Sequence, residues 1–193
     1  MENFSEEFYE TIDPCGDACV IGEEEMPTIA ILYGSNTGAT ERVAEMIRDR
    51  IGANAVTLDV TKVDEATLEQ FDSFIIGVST WEWGELQGDM EDFLPLLDEM
   101  DFSNRKVALF GLGNQEDYAD TFADGLGTLY EELLDRGAQI IGAWPAEDYH
   151  FVESRALVGG KFVGLVIDED TQENMTSSRV KVWVDQIRDQ IEH

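Results

Sequence analysis

The chain has 193 residues, 43% of them hydrophobic, which suits one domain with a real core. No apolar run approaches the roughly 18 residues of a membrane span, and the N-terminus lacks a basic n-region and a signal-type apolar stretch, so a cytoplasmic location is expected. With 42 acidic residues against 12 basic ones the formal net charge is −30, which repels nucleic acid and anionic membranes and attracts basic protein partners.

Two readings of that acidity stay open. One is a docking surface for basic partners. The other is adaptation to high salt, in which dense carboxylates keep the surface hydrated while salt screens their repulsion. The spread of acid over the whole chain points to a halophilic or salt-tolerant source. Cys15 and Cys19 are the only cysteines, too few for a disulfide scaffold, and the two remote His residues do not complete a zinc site, so no metal is expected.

In chain order, residues 1–27 come first, with nine acidic residues and no basic one; they read as an acidic, flexible N-terminal extension. Phe4, Phe8 and Ile12 recur at i, i+4, i+8, which leaves a short docked amphipathic helix as the alternative. Cys15 and Cys19 are either a redox-sensitive pair or inert thiols. From residue 28 onward, apolar runs predict buried strands at 29–33, 55–60, 74–78, 107–112 and 140–144. Between them lie helical patterns: Val43, Met46, Ile47 and Ile51 on one face, then Phe93, Leu94, Leu96 and Leu97, then Phe122, Leu126, Leu129, Tyr130 and Leu133. A last helix carries Val180, Trp183, Val184, Ile187 and Ile191, with Thr176 as its expected N-cap. This alternation predicts a parallel sheet covered on both faces. About 17 residues without periodicity separate Trp144 from the next apolar run at 162–167, and they read as an insertion interrupting the fifth strand.

The most informative stretch is Gly34-Ser35-Asn36-Thr37-Gly38-Ala39-Thr40, between the first strand and the first helix. A helix N-terminus presents unpaired N–H groups and the positive end of its dipole, which together attract an anion. A nucleotide-triphosphate loop would place Lys after its second glycine; here Ala39 follows Gly38. The turn therefore suits one phosphate monoester held by hydroxyls and N–H dipoles, with an ordinary polar turn as the alternative. Two more loops leave the same end of the sheet, where open α/β sheets bind ligands. One is Ser79-Thr80-Trp81-Glu82-Trp83-Gly84-Glu85-Leu86-Gln87; the other is Gly113-Asn114-Gln115-Glu116-Asp117-Tyr118. Trp81 and Tyr118 either pack on their own loops or sandwich a flat heterocycle. A phosphate turn beside two ring-bearing loops favours a phosphate-bearing planar cofactor.

At these motifs, together with Gly160-Lys161-Phe162-Val163-Gly164-Leu165, the chain resembles the flavodoxin family, long-chain type, from about residue 28 to residue 190. The resemblance implies an α/β flavodoxin-like three-layer sandwich, with a five-stranded parallel sheet in order 2-1-3-4-5, helices on both faces and an insertion in the fifth strand. It implies non-covalent FMN and one-electron carriage between redox proteins at low potential, on the semiquinone/hydroquinone couple. Ser35, Asn36, Thr37, Gly38, Ala39 and Thr40 are then expected to hold the FMN phosphate, with help from Thr80. Trp81 and Tyr118 would flank the isoalloxazine ring. The backbones of Glu82, Trp83, Gly84, Gly113, Asn114 and Gln115 would face its polar edge. Asn114 stands where the family commonly has Asp, and residues 1–27 are outside the family pattern.

Nothing in the sequence resembles a catalytic triad or a metal site, so an electron-transfer protein is expected rather than an enzyme. The alternatives are an FMN-dependent quinone reductase on the same fold and a non-redox signalling module. A quinone reductase would need open space over the ring. A phospho-receiver would need acidic residues at the end of the first strand, where Tyr33-Gly34-Ser35 stand. The expected partners are basic redox proteins, such as a ferredoxin/flavodoxin-NADP reductase or an oxidoreductase accepting low-potential electrons, and the expected state is a monomer. The acidic residues around the second and third loops read either as a solvated surface or as a steering field for such partners.

Overall fold

An apolar run without alternation needs cover on both faces. Residues Ile29–Tyr33 form such a strand (β1), buried along nearly all its length at the centre of a sheet. The structure, a computed structural model, describes residues 28–103 and 105–191. The readings made for residues 1–27, including the amphipathic pattern and the two cysteines, lie outside those residues.

After β1 come α1 (Ala39–Ile51), β2 (Ala55–Asp59), a short 3-10 turn (Val60–Lys62) and α2 (Glu65–Leu68). Then follow β3 (Ser73–Trp81), β4 (Glu85–Leu86), α3 (Gly88–Leu97), β5 (Lys106–Leu112) and α4 (Asp124–Asp135). The remainder comprises β6 (Gln139–Ile141), β7 (Trp144–Pro145), β8 (Leu157–Val158), β9 (Lys161–Phe162), β10 (Leu165–Ile167) and α5 (Glu173–Ile191). The main sheet is ordered β2-β1-β3-β5, and its parallel pairs run in register from Ile29↔Ala55 and Ile29↔Ser73 to Ser73↔Lys106. The fifth position is shared. β6 pairs with residues 106–108 of β5, and β10 pairs with residues 110–112. Counted as one interrupted strand, this gives the expected order 2-1-3-4-5.

The direction of travel reverses after β2, so right-handed crossovers place α1 and the later crossover helices on opposite faces. Helix α5 joins α1 on its face, burying Val180, Trp183, Val184 and Ile187. The Trp183 indole N–H is donated to the Gly142 carbonyl at 2.7 Å.

Three readings need correction. The run 140–144 is not one strand. Gly142 has φ +83°, which turns the chain out of the sheet, and Trp144 begins a separate three-stranded antiparallel sheet, β7-β9-β8. Residues 162–167 are divided as well: Phe162 belongs to that small sheet and only β10 returns to the main one. Thr176 does not cap α5. The helix starts at Glu173, a turn earlier, because a polar first turn carries no apolar periodicity to reveal it; Thr176 is buried within the helix.

The insertion is well anchored. Phe122, Tyr149, Phe151 and Phe162 form an aromatic cluster with ring centroids 5.2–6.0 Å apart. The Tyr149 hydroxyl donates to the Val166 carbonyl, and the Arg179 guanidinium lies over its ring at 4.1 Å. Burial pushes the Tyr149 phenol up to about 12. No helix among the described residues is long and apolar enough to cross a membrane.

Candidate functional site

The C-terminal ends of β1, β3, β5 and β10 converge on a cleft of about 320 Å³. The first wall is the turn between β1 and α1. Gly38 is the N-cap of α1 at φ +83°, with no side-chain cap on the helix end. The Ser35 hydroxyl accepts the Gly38 N–H at 3.0 Å and so closes the turn on itself. Thr37, Ala39 and Thr40 line the cleft, and Thr40 is buried. No Lys or Arg is among the lining residues. Arg42 stands at the rim and pairs with Glu169 at 2.8 Å. An anion here would meet N–H dipoles and hydroxyls rather than a cation.

Sequence reasoning passed over Gln87, which holds this turn in place. It is 1% exposed. Its Oε1 accepts the Met90 N–H at 3.0 Å and caps α3, while its Nε2 donates to Asn36 Oδ1 at 2.7 Å and to Asp89 Oδ2 at 2.6 Å. Gly34 makes room for it: a Cβ there would lie 2.2 Å from Gln87 Oε1. Asn36 therefore faces Gln87, and Ser35, Asn36 and Gly38 shape the turn from behind the residues that line the cleft.

The second wall is the end of β3 and the hairpin to β4. Thr80, Trp81 and Glu82 line the cleft. The Thr80 hydroxyl accepts the Gly125 N–H at 3.1 Å. Trp81 donates its indole N–H to Ser79 Oγ at 2.8 Å, which orients the ring at the cleft mouth. Trp83 and Gly84 lie outside the lining, with the Trp83 side chain 83% exposed.

The third wall follows β5. Gly113, Asn114 and Tyr118 line the cleft, with Tyr118 opposite the β3 loop and 45% exposed. Asn114 folds this loop: its Oδ1 accepts the N–H groups of Glu116 and Asp117, and its Nδ2 donates to Asp117 Oδ2 at 2.9 Å. A carboxylate in its place would face Asp117 with like charge, which accounts for Asn in so acidic a chain. Gln115 turns inward. It is buried, its backbone N–H is donated to Asp168 Oδ2 at 3.0 Å, and its side chain bridges Thr171 and the His150 N–H. It supports the wall from within.

A fourth wall went unread in the sequence. After β10, Glu169 and Asp170 line the cleft. Asp168 beneath them is fully buried, and its carboxylate accepts four hydrogen bonds, from the N–H groups of Gln115, Asp170 and Thr171 and from the Thr171 hydroxyl. The signal was available: residues 168–171 follow a strand that ends at the same sheet edge as the other three loops. No group of three or more His, Cys, Asp or Glu suited to a metal ion occurs among the described residues.

The flavodoxin family model matches residues 31–183. A flavodoxin from Buchnera aphidicola is 48% identical over 164 residues, covering 84% of this chain and 96% of its own. Flavodoxin 1 of Escherichia coli is 45% identical over 168 residues, covering 86% of this chain and 96% of its own. Among solved structures, Fusobacterium nucleatum flavodoxin bound to flavin mononucleotide matches with a TM-score of 0.79 at 30% identity, over 86% of this chain and 99% of that one. A family match over residues 31–183, curated relatives at 45–48% identity and a fold match across most of the chain place this protein in the flavodoxin family.

Proposed function

We propose that this chain carries single electrons at low potential between redox proteins, on a non-covalently bound FMN. The observation that carries this reading is the cleft: an uncapped helix N-terminus at one end and two exposed rings, Trp81 and Tyr118, at the other. The residues fit the cofactor. A cleft of about 320 Å³ lies in the range of small-molecule sites, roughly 300–1,000 Å³. Its phosphate end offers a monoester the helix dipole and the groups of Thr37, Ala39, Thr40 and Thr80, with Ser35, Asn36 and Gly38 shaping the turn behind them. Trp81 and Tyr118 would flank the ring. The backbones of Glu82, Gly113 and Asn114 would face its polar edge; Trp83 and Gly84 stand outside the lining, and the N–H of Gln115 already serves Asp168.

Bound flavin supplies the one-electron chemistry, and the protein sets its potentials and access. Glu82, Glu169 and Asp170 place three carboxylates on the cleft, where like charge opposes further negative charge and favours a low potential. Residues 28–193 would form the FMN-binding domain and residues 1–27 its acidic extension. A net charge of −30 supports a monomer that meets basic partners, such as a ferredoxin/flavodoxin-NADP reductase or an oxidoreductase accepting low-potential electrons, and a cytoplasmic location goes with that role. It also supports a salt-adapted source, for which unfolding free energy should rise with added salt.

The visible spectrum during stepwise reduction tests the main reading. Flavin absorbance that changes in two separate one-electron stages is expected. A single two-electron bleaching would favour the quinone reductase, and failure to bind added FMN would overturn both.

A further inference from the structure

We propose that Asp124 is a positioning residue for the turn at residues 81–84: it supports the ring-side wall of the cleft from beneath and ties that wall to the insertion. The redox readout of this inference, though not its structural one, rests on the FMN-carrier reading.

The turn needs a support. The Gly84 N–H closes it on the Trp81 carbonyl at 3.1 Å, and Glu82 and Gly84 take φ of +46° and +100°. A non-glycine residue with positive φ persists only where its surroundings enforce it. The surroundings are the start of α4 and the segment that leads into it. A Cβ on Gly84 would lie 2.9 Å from Asp124 Oδ2, 3.1 Å from Asp124 Cβ and 3.3 Å from Thr121 Cβ. Gly84 thus rests on the Asp124 side chain. The next residue, Gly125, donates its N–H to Thr80 Oγ1. Both ends of the turn are held by consecutive residues of one helix N-terminus.

That helix end is in turn fixed by the insertion. Asp124 Oδ1 accepts the Arg155 N–H at 2.7 Å, and the Phe122 N–H is donated to the Glu153 carbonyl at 3.3 Å. Arg155 extends along α4 to Thr128 Oγ1 at 3.0 Å and Glu131 Oε2 at 2.7 Å. Asp120, Glu153 and Arg155 are the charged groups that share a recess with Asp124, and Glu85 contributes a nearby backbone carbonyl. Asp124 itself is 8% exposed, and that burial raises its carboxyl above the usual range. A carboxylate kept in so poorly solvated a place sits between two segments that it connects: the strap at 153–155 on one side and the cleft turn on the other.

The test uses the full chain with Asp124→Asn and Asp124→Ala, each alone and combined with Gly84→Ala. Asn keeps the shape and an acceptor for the Arg155 N–H, so the unfolding midpoint should stay near that of the parent. Asp124→Ala removes the support, and the ratio of the two one-electron steps should then change by about fivefold, the low end of coupling between linked sites, with Asp124→Asn staying closer to the parent. In the flavin-free protein, acrylamide should quench Trp81 and Trp83 emission more readily in Asp124→Ala than in the parent. Gly84→Ala should cost less FMN affinity when Asp124 is already Ala, because the 2.9 Å approach to Oδ2 is removed while the remaining Cβ contacts and the positive-φ cost are common to both backgrounds. Parent-like potentials in Asp124→Ala, or strictly additive costs for the pair, would overturn the inference. Should the parent bind no FMN, the acrylamide comparison decides alone; should Asp124→Ala not fold, Asp124→Ser, which also shortens the side chain away from Gly84, takes its place.

Discussion

The turn after β1 and the turn after β3 line one cleft but are held by opposite means. The first is locked by satisfied polar contacts. Ser35 closes it, Gln87 is buried against it, and Gly34 leaves no spare space. The second is held by shape. Two of its residues take left-handed backbone angles, its one large side chain at the tip is in water, and it rests on a partly desolvated carboxylate beside the Gly125 N–H that holds Thr80. A site for phosphate gains from rigidity, since dipoles act best when they need no reorganisation. A wall beside a group whose charge changes gains from a backbone able to settle differently in each state.

That contrast can be broken at either end. Gly34→Ala should have the largest effect. Its Cβ would displace Gln87 and leave Asn36, Asp89 and the Met90 N–H without their partner, costing about 3 kcal/mol of stability. FMN affinity should fall with it; urea unfolding and flavin titration check the two. Trp81→Ala should separate them, weakening FMN by about 1 kcal/mol, roughly fivefold, while stability changes by less than about 0.5 kcal/mol. Asn114→Asp should cost about 0.5 kcal/mol through repulsion of the exposed Asp117 carboxylate, less at high salt. Its added charge on the cleft should lower the reduction potential, read by redox titration. Trp83→Ala should change neither affinity nor stability measurably, which would confine the ring's role to encounters with partners. A fall in FMN affinity with Trp83→Ala would mean that the tip folds over the cleft.

The pH dependence sharpens the ring-side half. The folded-state pKa of Asp124 is raised, burial being the main cause. Its favourable contribution is complete below the unfolded-state pKa and is lost as pH rises through the folded-state value. Asp124→Asn removes that loss, so its stability relative to the parent should improve as pH rises through that range, as followed by denaturant unfolding at a series of pH values.

Much of this was legible because burial on two faces writes itself as continuous apolar sequence. The strands at 29–33, 74–78 and 107–112 were read within a few residues of their ends. The divided fifth strand was not, since Ile140, Ile141 and Trp144 look continuous until Gly142 turns the chain between them. In the cleft, the rings were found because a large aromatic in a polar loop is conspicuous. Gln115 was expected on the ring side and Gln87 was given no role, because periodicity does not reveal which way a polar loop side chain points, and both side chains point inward to satisfy backbone N–H groups. Asp168 was invisible for the same reason.

The divided fifth strand also affects how the molecule meets copies of itself. The edge of a parallel sheet is a template on which a second chain can add hydrogen bonds, and long apolar edges invite aggregation. Here that edge is broken into β6 and β10, three residues each, with the small antiparallel sheet branching off between them. Neither piece offers a run long enough for stable strand addition. An apolar strand that would be a hazard if continuous is made harmless by its interruption, and deleting the insertion to fuse the halves should yield a protein prone to self-association.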